Sequence, residues 1–221
     1  MCGRFFMTLE AEELEAAFPD FKPPAEWRPR YNIAPTQPVP VVINDGQQRI
    51  TFLQWGLVPA WAKDPAIGSR LINARAETLA EKPSFRAAYR QRRCLILADG
   101  FYEWRVEPGQ RGKTPLAIRL RSGAPFAFAG LWEVWHPDDT PLLTCTLITT
   151  EPNALLAPIH NRMPVILPRS AYAGWFDPAE RAPHDLQSLL TPYPAEEMIA
   201  YPVSTRVNDP ANEDPACIAP A

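Results

Sequence analysis

Cys2 follows the initiating methionine directly, in the stretch MCGRF. Fraying concentrates at termini, so a cysteine placed there for packing alone has little to gain. A small side chain at the second position favours trimming of the methionine, which would leave Cys2 with a free α-amine beside its thiol. The amine has an ordinary pKa of ~7.7–8.0 and the thiol one of ~8.5, so both are partly nucleophilic near neutrality. Two chemistries follow. With an aldehyde, the amine forms a Schiff base and the thiol then closes a five-membered thiazolidine, a ring that a serine or an internal cysteine cannot make. With an amide, the thiol attacks while the amine serves as base, as in an N-terminal nucleophile hydrolase.

Four further groups bear on that chemistry. LADGFYEW sets Glu103 between Tyr102 and Trp104; a desolvated carboxyl there suits acid–base work, whereas one paired with an arginine would only tie down a turn. PIHNRMPVIL carries His160 on a proline-bounded loop beside Asn161 and Arg162, and either a catalytic or a structural imidazole fits that context. In LINARAET, Asn73 and Arg75 are two apart and face one side of an extended segment. An arginine fork matches phosphate, yet a loop asparagine and a surface ion pair remain the plainer reading. WGLVPAWAKD places Trp55 and Trp61 ahead of a basic region. Aromatics beside arginines can hold unstacked bases, while a simple core role is the stronger expectation for Trp55 than for Trp61.

These groups need a scaffold. The 221 residues are enough for one domain with a full core, or two small ones. Nothing splits the composition, so a single domain over 1–221 is expected, structured from about residue 2 to 215. The last stretch, NDPANEDPACIAPA, reads as a loosely held tail. Twenty-seven prolines imply short elements and long ordered loops. TLEAEELEAAF reads as a first helix, with Thr8 as its cap and Leu14 and Phe18 on one face. SFRAAYRQR reads as a second, basic helix, and RSAYAGWF and HDLQSLL as short late ones. Strand-like runs are VPVVI, RITFLQW, RCLILA, PLAIRLR, FAFAGLW, LLTCTLITT and MPVIL. Strands throughout with helices inserted between them point to an α+β fold with a mainly antiparallel or barrel-like sheet.

No apolar run approaches the ~18 residues of a membrane span, and no secretory signal is evident, so a cytoplasmic protein is expected. Cys94 and Cys145 lie in apolar runs and read as buried; with Cys2 and Cys217 they form no C-x-x-C pair. His136, His160 and His184 lack metal-site spacing. Neither a zinc site, another metal, a cofactor nor a disulfide framework is called for. Net charge is −3, but eight basic side chains face three acids between Trp61 and Leu95, and eight acids face two arginines from Ala171 on. The split suits a protein that meets phosphates on one face, and equally an ordinary solvated surface.

In order, MCGRF, RYNIAPTQPVPVV, WGLVPAWAKD, INARAET, KPSFRAAYRQRRCLILADGFYEW, FAFAGLWEVW, TCTLITTEPNALLAPIHNRMPVIL and VSTRVNDP resemble the SRAP (SOS-response-associated peptidase) family, whose members process abasic sites. The resemblance runs from Cys2 to about Pro215. It implies a bifurcated, barrel-containing β-sheet flanked by short helices. It also implies binding of single-stranded DNA and single-strand/double-strand junctions at abasic sites, by a chain expected to be a monomer and, in a bacterium, nucleoid-associated. Mature Cys2 would form a thiazolidine crosslink to the C1′ aldehyde of the opened sugar. The family's functional positions map onto Cys2, Asn73, Glu103 and His160; Arg4, Arg75 and Arg162 match arginines near phosphates, and Trp61 and Trp104 match aromatics near the DNA bend. The resemblance further implies that Glu103 transfers protons as water leaves. His160 would assist sugar opening or stabilise the ring oxygen, and Asn73 would orient the amine. Without ring closure, the Schiff base would lead to strand cleavage by a lyase reaction. The peptidase label fits removal of Met1, by self-processing or by an aminopeptidase. Two rivals come from other classes. Glutamine amidotransferase-type hydrolases also open with MCG, but usually continue with an apolar residue where Arg4 stands, and their Arg-Gly-Pro and Asn-Gly motifs are missing. A DNA-binding module without catalysis would leave Cys2, Glu103 and His160 without a shared purpose.

Overall fold

The computed structural model describes residues 2–107, 109, 112–136 and 140–221. Prolines and β-branched runs produce short helices between strands. The first half runs β1 (Phe5–Met7), α1 (Ala11–Ala17), β2 (Arg30–Ile33), β3 (Pro38–Ile43), β4 (Thr51–Trp55), β5 (Asn73–Arg75), α2 (Arg86–Gln91), β6 (Arg93–Ala98) and β7 (Gly100–Val106). The second runs β8 (Lys113–Leu120), β9 (Phe126–Trp135), β10 (Leu142–Thr150), β11 (Met163–Pro164), β12 (Ile166–Leu167), α3 (Tyr172–Phe176), α4 (Pro183–Gln187) and β13 (Met198–Pro202). This is the expected α+β class.

The strands divide into two sheets. One closes on itself: β10 pairs β4, then β3, β6 and β9 follow, and β9 pairs back to β10. That ring is a five-stranded barrel, with no free edge along the circuit. β5 is added in parallel on β10, Asn73 opposite Leu147, and the β10–β4 pair is parallel as well. MPVIL, expected as one strand, splits: Met163–Pro164 pairs with β10 and Ile166–Leu167 with β9. Val165 makes the switch, donating to Ile148 O and accepting from Ala129 N, both at 2.9 Å.

The second sheet has the order β13-β8-β7-β1-β2, and the side-chain alternation of β1 fits it between two cores. Phe5 points to the barrel, its ring 5.2 Å from Trp55 and 5.8 Å from Phe128. Phe6 points the other way, to Tyr102 at 5.0 Å, in a small core with Ala117, Val203 and Val207. Gly100 follows from this packing, since a Cβ there would stand 2.3 Å from the Phe6 ring.

Three expectations need correcting. Thr8 does not cap α1. Asp99 Oδ2 takes both its N–H and its hydroxyl at 2.6 Å, and Glu10 with Glu13 forms the capping box instead. The C-terminal stretch is not loose. Val203, Val207 and Cys217 are buried, Val203 bridges Pro220, and the stretch covers the back of the second sheet. Lastly, Arg93 is no part of a phosphate-facing surface. It is fully buried and donates to the carbonyls of Trp175 and Ala179 at 2.8 and 3.0 Å, and to those of Tyr89, Arg90 and Asp177.

Candidate active site

The antiparallel register of β1 on β7, with Phe5 opposite Phe101 and Phe6 opposite Gly100, runs the first residues of the chain back along β7. Tyr102 N donates to Arg4 O at 2.9 Å, which brings Cys2 and Gly3 alongside Glu103 and Trp104. Alternation along β7 then sorts the side chains. Phe101 meets Phe128 on the barrel side, Glu103 faces the same way, and Tyr102 and Trp104 face the small core behind.

Cys2 is fully buried in the main core. Its carbonyl accepts from Asn73 Nδ2 at 2.8 Å, so β5, riding on β10, reaches across to the start of the chain. Asn73 Oδ1 is buried and meets no donor among the described residues. Burial pushes the Cys2 thiol up, and the Glu103 carboxylate beside it adds to the rise. Burial likewise holds the Glu103 carboxyl above the usual carboxylate range, while the nearby His160 pulls it back. Burial that favours the protonated carboxyl suits a group that passes a proton to a leaving group.

His160 stands at the end of a tight turn built on Asn153, whose Oδ1 accepts from Leu156 N at 3.0 Å. His160 N donates to Leu156 O at 2.8 Å. The ring Nδ1 accepts from Arg162 N at 3.0 Å, which assigns the proton of the neutral imidazole to Nε2. Cys2, Asn73, Glu103 and His160, drawn from four distant stretches, therefore form one cluster.

The other five expected residues have differing local settings. Arg162 makes a two-pronged bond to Glu77 at 2.6 and 2.9 Å and a third bond to Thr149 O at 2.6 Å. Arg75, exposed at the end of β5, also acts on Glu77 and helps hold its carboxyl below the usual range, after the larger effect of Arg162. Arg4 and Trp104 lie behind β7, with the Arg4 guanidinium 5.8 Å from the ring centre. Arg4 Nη1 is turned inward, to Asn32 Oδ1 at 2.7 Å and Val207 O at 2.6 Å. Trp61 is 60% exposed and lines a cleft of about 440 Å³ with Lys63 and Arg70. Trp55 is core, its Nε1 on Ile72 O at 2.8 Å. Met1 lies outside the described residues. Asn32 and Glu77 were missed as partners of the arginines; Glu77 had a faint signal, two residues after Arg75 in INARAET.

A barrel fused to a second sheet, with a buried cysteine bonded by an asparagine beside a carboxyl that an imidazole faces, defines a narrow class of proteins. The model of the SOS response associated peptidase (SRAP) family matches residues 1–210, and the chain belongs to that family. It is 50% identical over 223 residues to the abasic site processing protein YoqW of Bacillus subtilis, covering 99% of each chain. It is 32% identical to the abasic site processing protein HMCES of Gallus gallus, covering all of this chain and 78% of that one. A crystal structure from Bacteroides thetaiotaomicron superposes with a TM-score of 0.89 at 26% identity over the whole of both chains. Among the described residues, no helix is long and apolar enough to cross a membrane.

Proposed function

We propose that this chain processes abasic sites in single-stranded DNA and at single-strand/double-strand junctions, capturing the sugar aldehyde on Cys2 once Met1 is removed. The carbon–nitrogen bond forms first, and the carbinolamine loses its oxygen as water, protonated by Glu103. The thiol then adds to the same carbon and its proton passes to nitrogen. The net change is aldehyde plus aminothiol to thiazolidine plus one water. His160, with its proton on Nε2, donates toward the ring oxygen of the closed sugar as it opens. Asn73 Oδ1 orients an N–H of the amine. Arg75 and Arg162 meet phosphates, with Glu77 giving up Arg162 to the incoming anion, and Trp61 stacks on an unpaired base. Closing the ring removes the Schiff base from which strand cleavage would proceed.

The observation that carries this reading is the convergence on Cys2 of Asn73, 2.8 Å from its carbonyl, and of the raised carboxyl of Glu103. The names of the relatives point the same way. The test is to incubate the mature chain with a single-stranded oligonucleotide bearing one abasic site, then heat and denature. A heat-stable adduct is expected from the natural chain. Cys2→Ala should give none, and Cys2→Ser only a labile Schiff base. Absence of the adduct, or its persistence in Cys2→Ala, overturns the reading.

A further inference from the structure

Cys2 and Gly3 precede β1, whose pairing with the neighbouring strands begins at Phe5. A chain start with so little ladder of its own would fray, yet the proposed chemistry needs the amine held against Glu103. Beyond the Asn73 bond to the Cys2 carbonyl and the Tyr102 bond to Arg4 O, further holding contacts come from behind the sheet. Asn32 of β2 is a fully buried polar side chain. Its Nδ2 donates to three carbonyls of the C-terminal stretch, those of Val207 at 3.3 Å, Asp209 at 3.0 Å and Asn212 at 2.8 Å. Its Oδ1 accepts from Arg4 Nη1 at 2.7 Å, and the same nitrogen reaches Val207 O at 2.6 Å.

The stretch is clamped further along by Glu213. One carboxylate oxygen takes the N–H groups of Tyr31 and Asn32, and the other takes Arg30 Nε and Nη2 at 2.9 and 2.8 Å. At the opposite side, Asn208 Oδ1 accepts from Trp104 Nε1 at 2.7 Å. One segment thus grips Arg4, two residues from Cys2, and Trp104, one residue from Glu103.

We propose that Asn32, with the 207–213 segment it gathers, is the positioning device of the site, fixing the Cys2 amine against Glu103 through Arg4. Asn32 touches no reacting atom and acts only through the strand it holds. At about 3.3 Å per residue, a slip at Arg4 is carried to Cys2 over a lever of about 7 Å. A misplacement of about 1 Å at reacting atoms costs on the order of a hundredfold in rate. This proposal rests on the aldehyde-capture reading.

A matched control exists in the same chain. Asn44 is also a buried asparagine hub; it accepts from Arg93 N at 3.1 Å and Trp132 Nε1 at 2.9 Å and donates to Gln91 O at 3.0 Å. It joins the end of β3 to α2, β6 and β9. The experiment measures single-turnover crosslinking at saturating abasic oligonucleotide across pH 5–9, for the natural chain, Asn32→Ala and Asn44→Ala. Each rate is normalised to the folded fraction. Affinity is read separately with a non-reactive tetrahydrofuran analogue of the site.

Asn32→Ala should lower the saturated rate about tenfold or more, with affinity within about twofold. It should also move the pH midpoint of the rate downward, because an amine leaving the Glu103 carboxylate loses the charge that favours its protonated form. Asn44→Ala should lose stability without changing either readout. If Asn32→Ala does not fold, Glu213→Gln takes its place, with about a threefold loss of rate and the same direction of midpoint. Should the natural chain crosslink while the variant keeps its rate per folded molecule and its midpoint, the device is overturned alone. A natural chain that forms no adduct overturns the capture reading and the device together.

Discussion

Two asparagine–arginine hubs hold this molecule together, and they differ in what lies beyond them. At the Asn44–Arg93 hub, the guanidinium is fully buried and all its described partners are backbone carbonyls, three of them from Trp175, Asp177 and Ala179. It ties α3 and the turn after it to the barrel; the Asp177 carboxylate adds charge attraction, but none of the described hydrogen bonds to the guanidinium goes to a carboxylate. At the Asn32–Arg4 hub, the guanidinium is half-buried, binds a carbonyl and an amide oxygen, and lies against Trp104. The first hub ends in scaffold. The second ends two residues from Cys2. A third arginine, Arg162, completes the contrast. Its partner Glu77 is a carboxylate with a half-exposed side chain, and a phosphate, like a carboxylate, can present two oxygens to the planar guanidinium fork. The three arginines thus differ in their acceptors: buried carbonyls at Arg93, a carbonyl and an amide oxygen at Arg4, and a half-exposed carboxylate at Arg162.

The largest effect should come from breaking the closed hub. Arg93→Ala takes a donor from five carbonyls, of which Arg90 O keeps Arg181 N and Asp177 O keeps Asn44 Nδ2, and leaves a void beside Trp175, so about 3 kcal/mol of stability should be lost. Urea unfolding followed by tryptophan fluorescence reads it directly. Folded Arg93→Ala molecules at low temperature should still bind DNA as the natural chain does. A loss below about 1 kcal/mol would mean that the two hubs do not differ in kind.

Arg162→Ala is the counterpart. Its ion pair faces solvent on the glutamate side, so stability should fall by at most about 1 kcal/mol. Binding of a single-stranded oligonucleotide should weaken about three- to tenfold. The slope of log K against log salt should become shallower by about 0.7, as expected when one phosphate contact is lost on a single strand. Titration by fluorescence anisotropy at four salt concentrations measures both. An unchanged slope would remove Arg162 from the phosphate-binding set and leave it a structural partner of Thr149 and Glu77.

Much of this was legible before the structure. RCLILA and LLTCTLITT coincide with β6 and β10 to the residue, because long β-branched and apolar runs bounded by charge or proline allow little else. Cys2 stands out by its chemistry, whereas Asn73, Glu103 and His160 are open on their own residues and are singled out by the resemblance to the family; the structure gathers all four. What stayed hidden was long-range partnership. Arg93 reads as surface charge in a basic segment, since nothing local announces the three carbonyls that Trp175, Asp177 and Ala179 bring from a distant turn. The C-terminal stretch has the proline, aspartate and asparagine content of coil, and the apolar residues that anchor it are too irregularly spaced to show a period. Asn32 sits inside a strand where an exposed and a buried asparagine look alike. Its burial is decided by residues about 180 positions away.

The smallest predicted effect concerns the site itself and has a definite sign. The Glu103 carboxyl is held above its ordinary range chiefly by burial, so the folded chain binds this proton more tightly than the unfolded one. The ionised form is then a burden on the fold at neutral pH, and the burden lifts as pH falls through the folded pKa. Glu103→Gln removes the charge but keeps the size and an acceptor, so it should raise stability by about 0.5–1 kcal/mol at pH 7–8. The gain should shrink on acidification and vanish below the ordinary glutamate value of ~4.3, while crosslinking slows for want of a proton donor. Thermal unfolding of both chains between pH 4 and 8 tests this. A gain independent of pH would trace to packing and not to charge, and a loss at neutral pH would mean that the ionised carboxylate is an anchor of the cluster. In that case the site would resemble the Asn44–Arg93 hub, a polar group kept for the fold. The expected result would instead mark Glu103 as a buried charge that the molecule retains at a cost in stability.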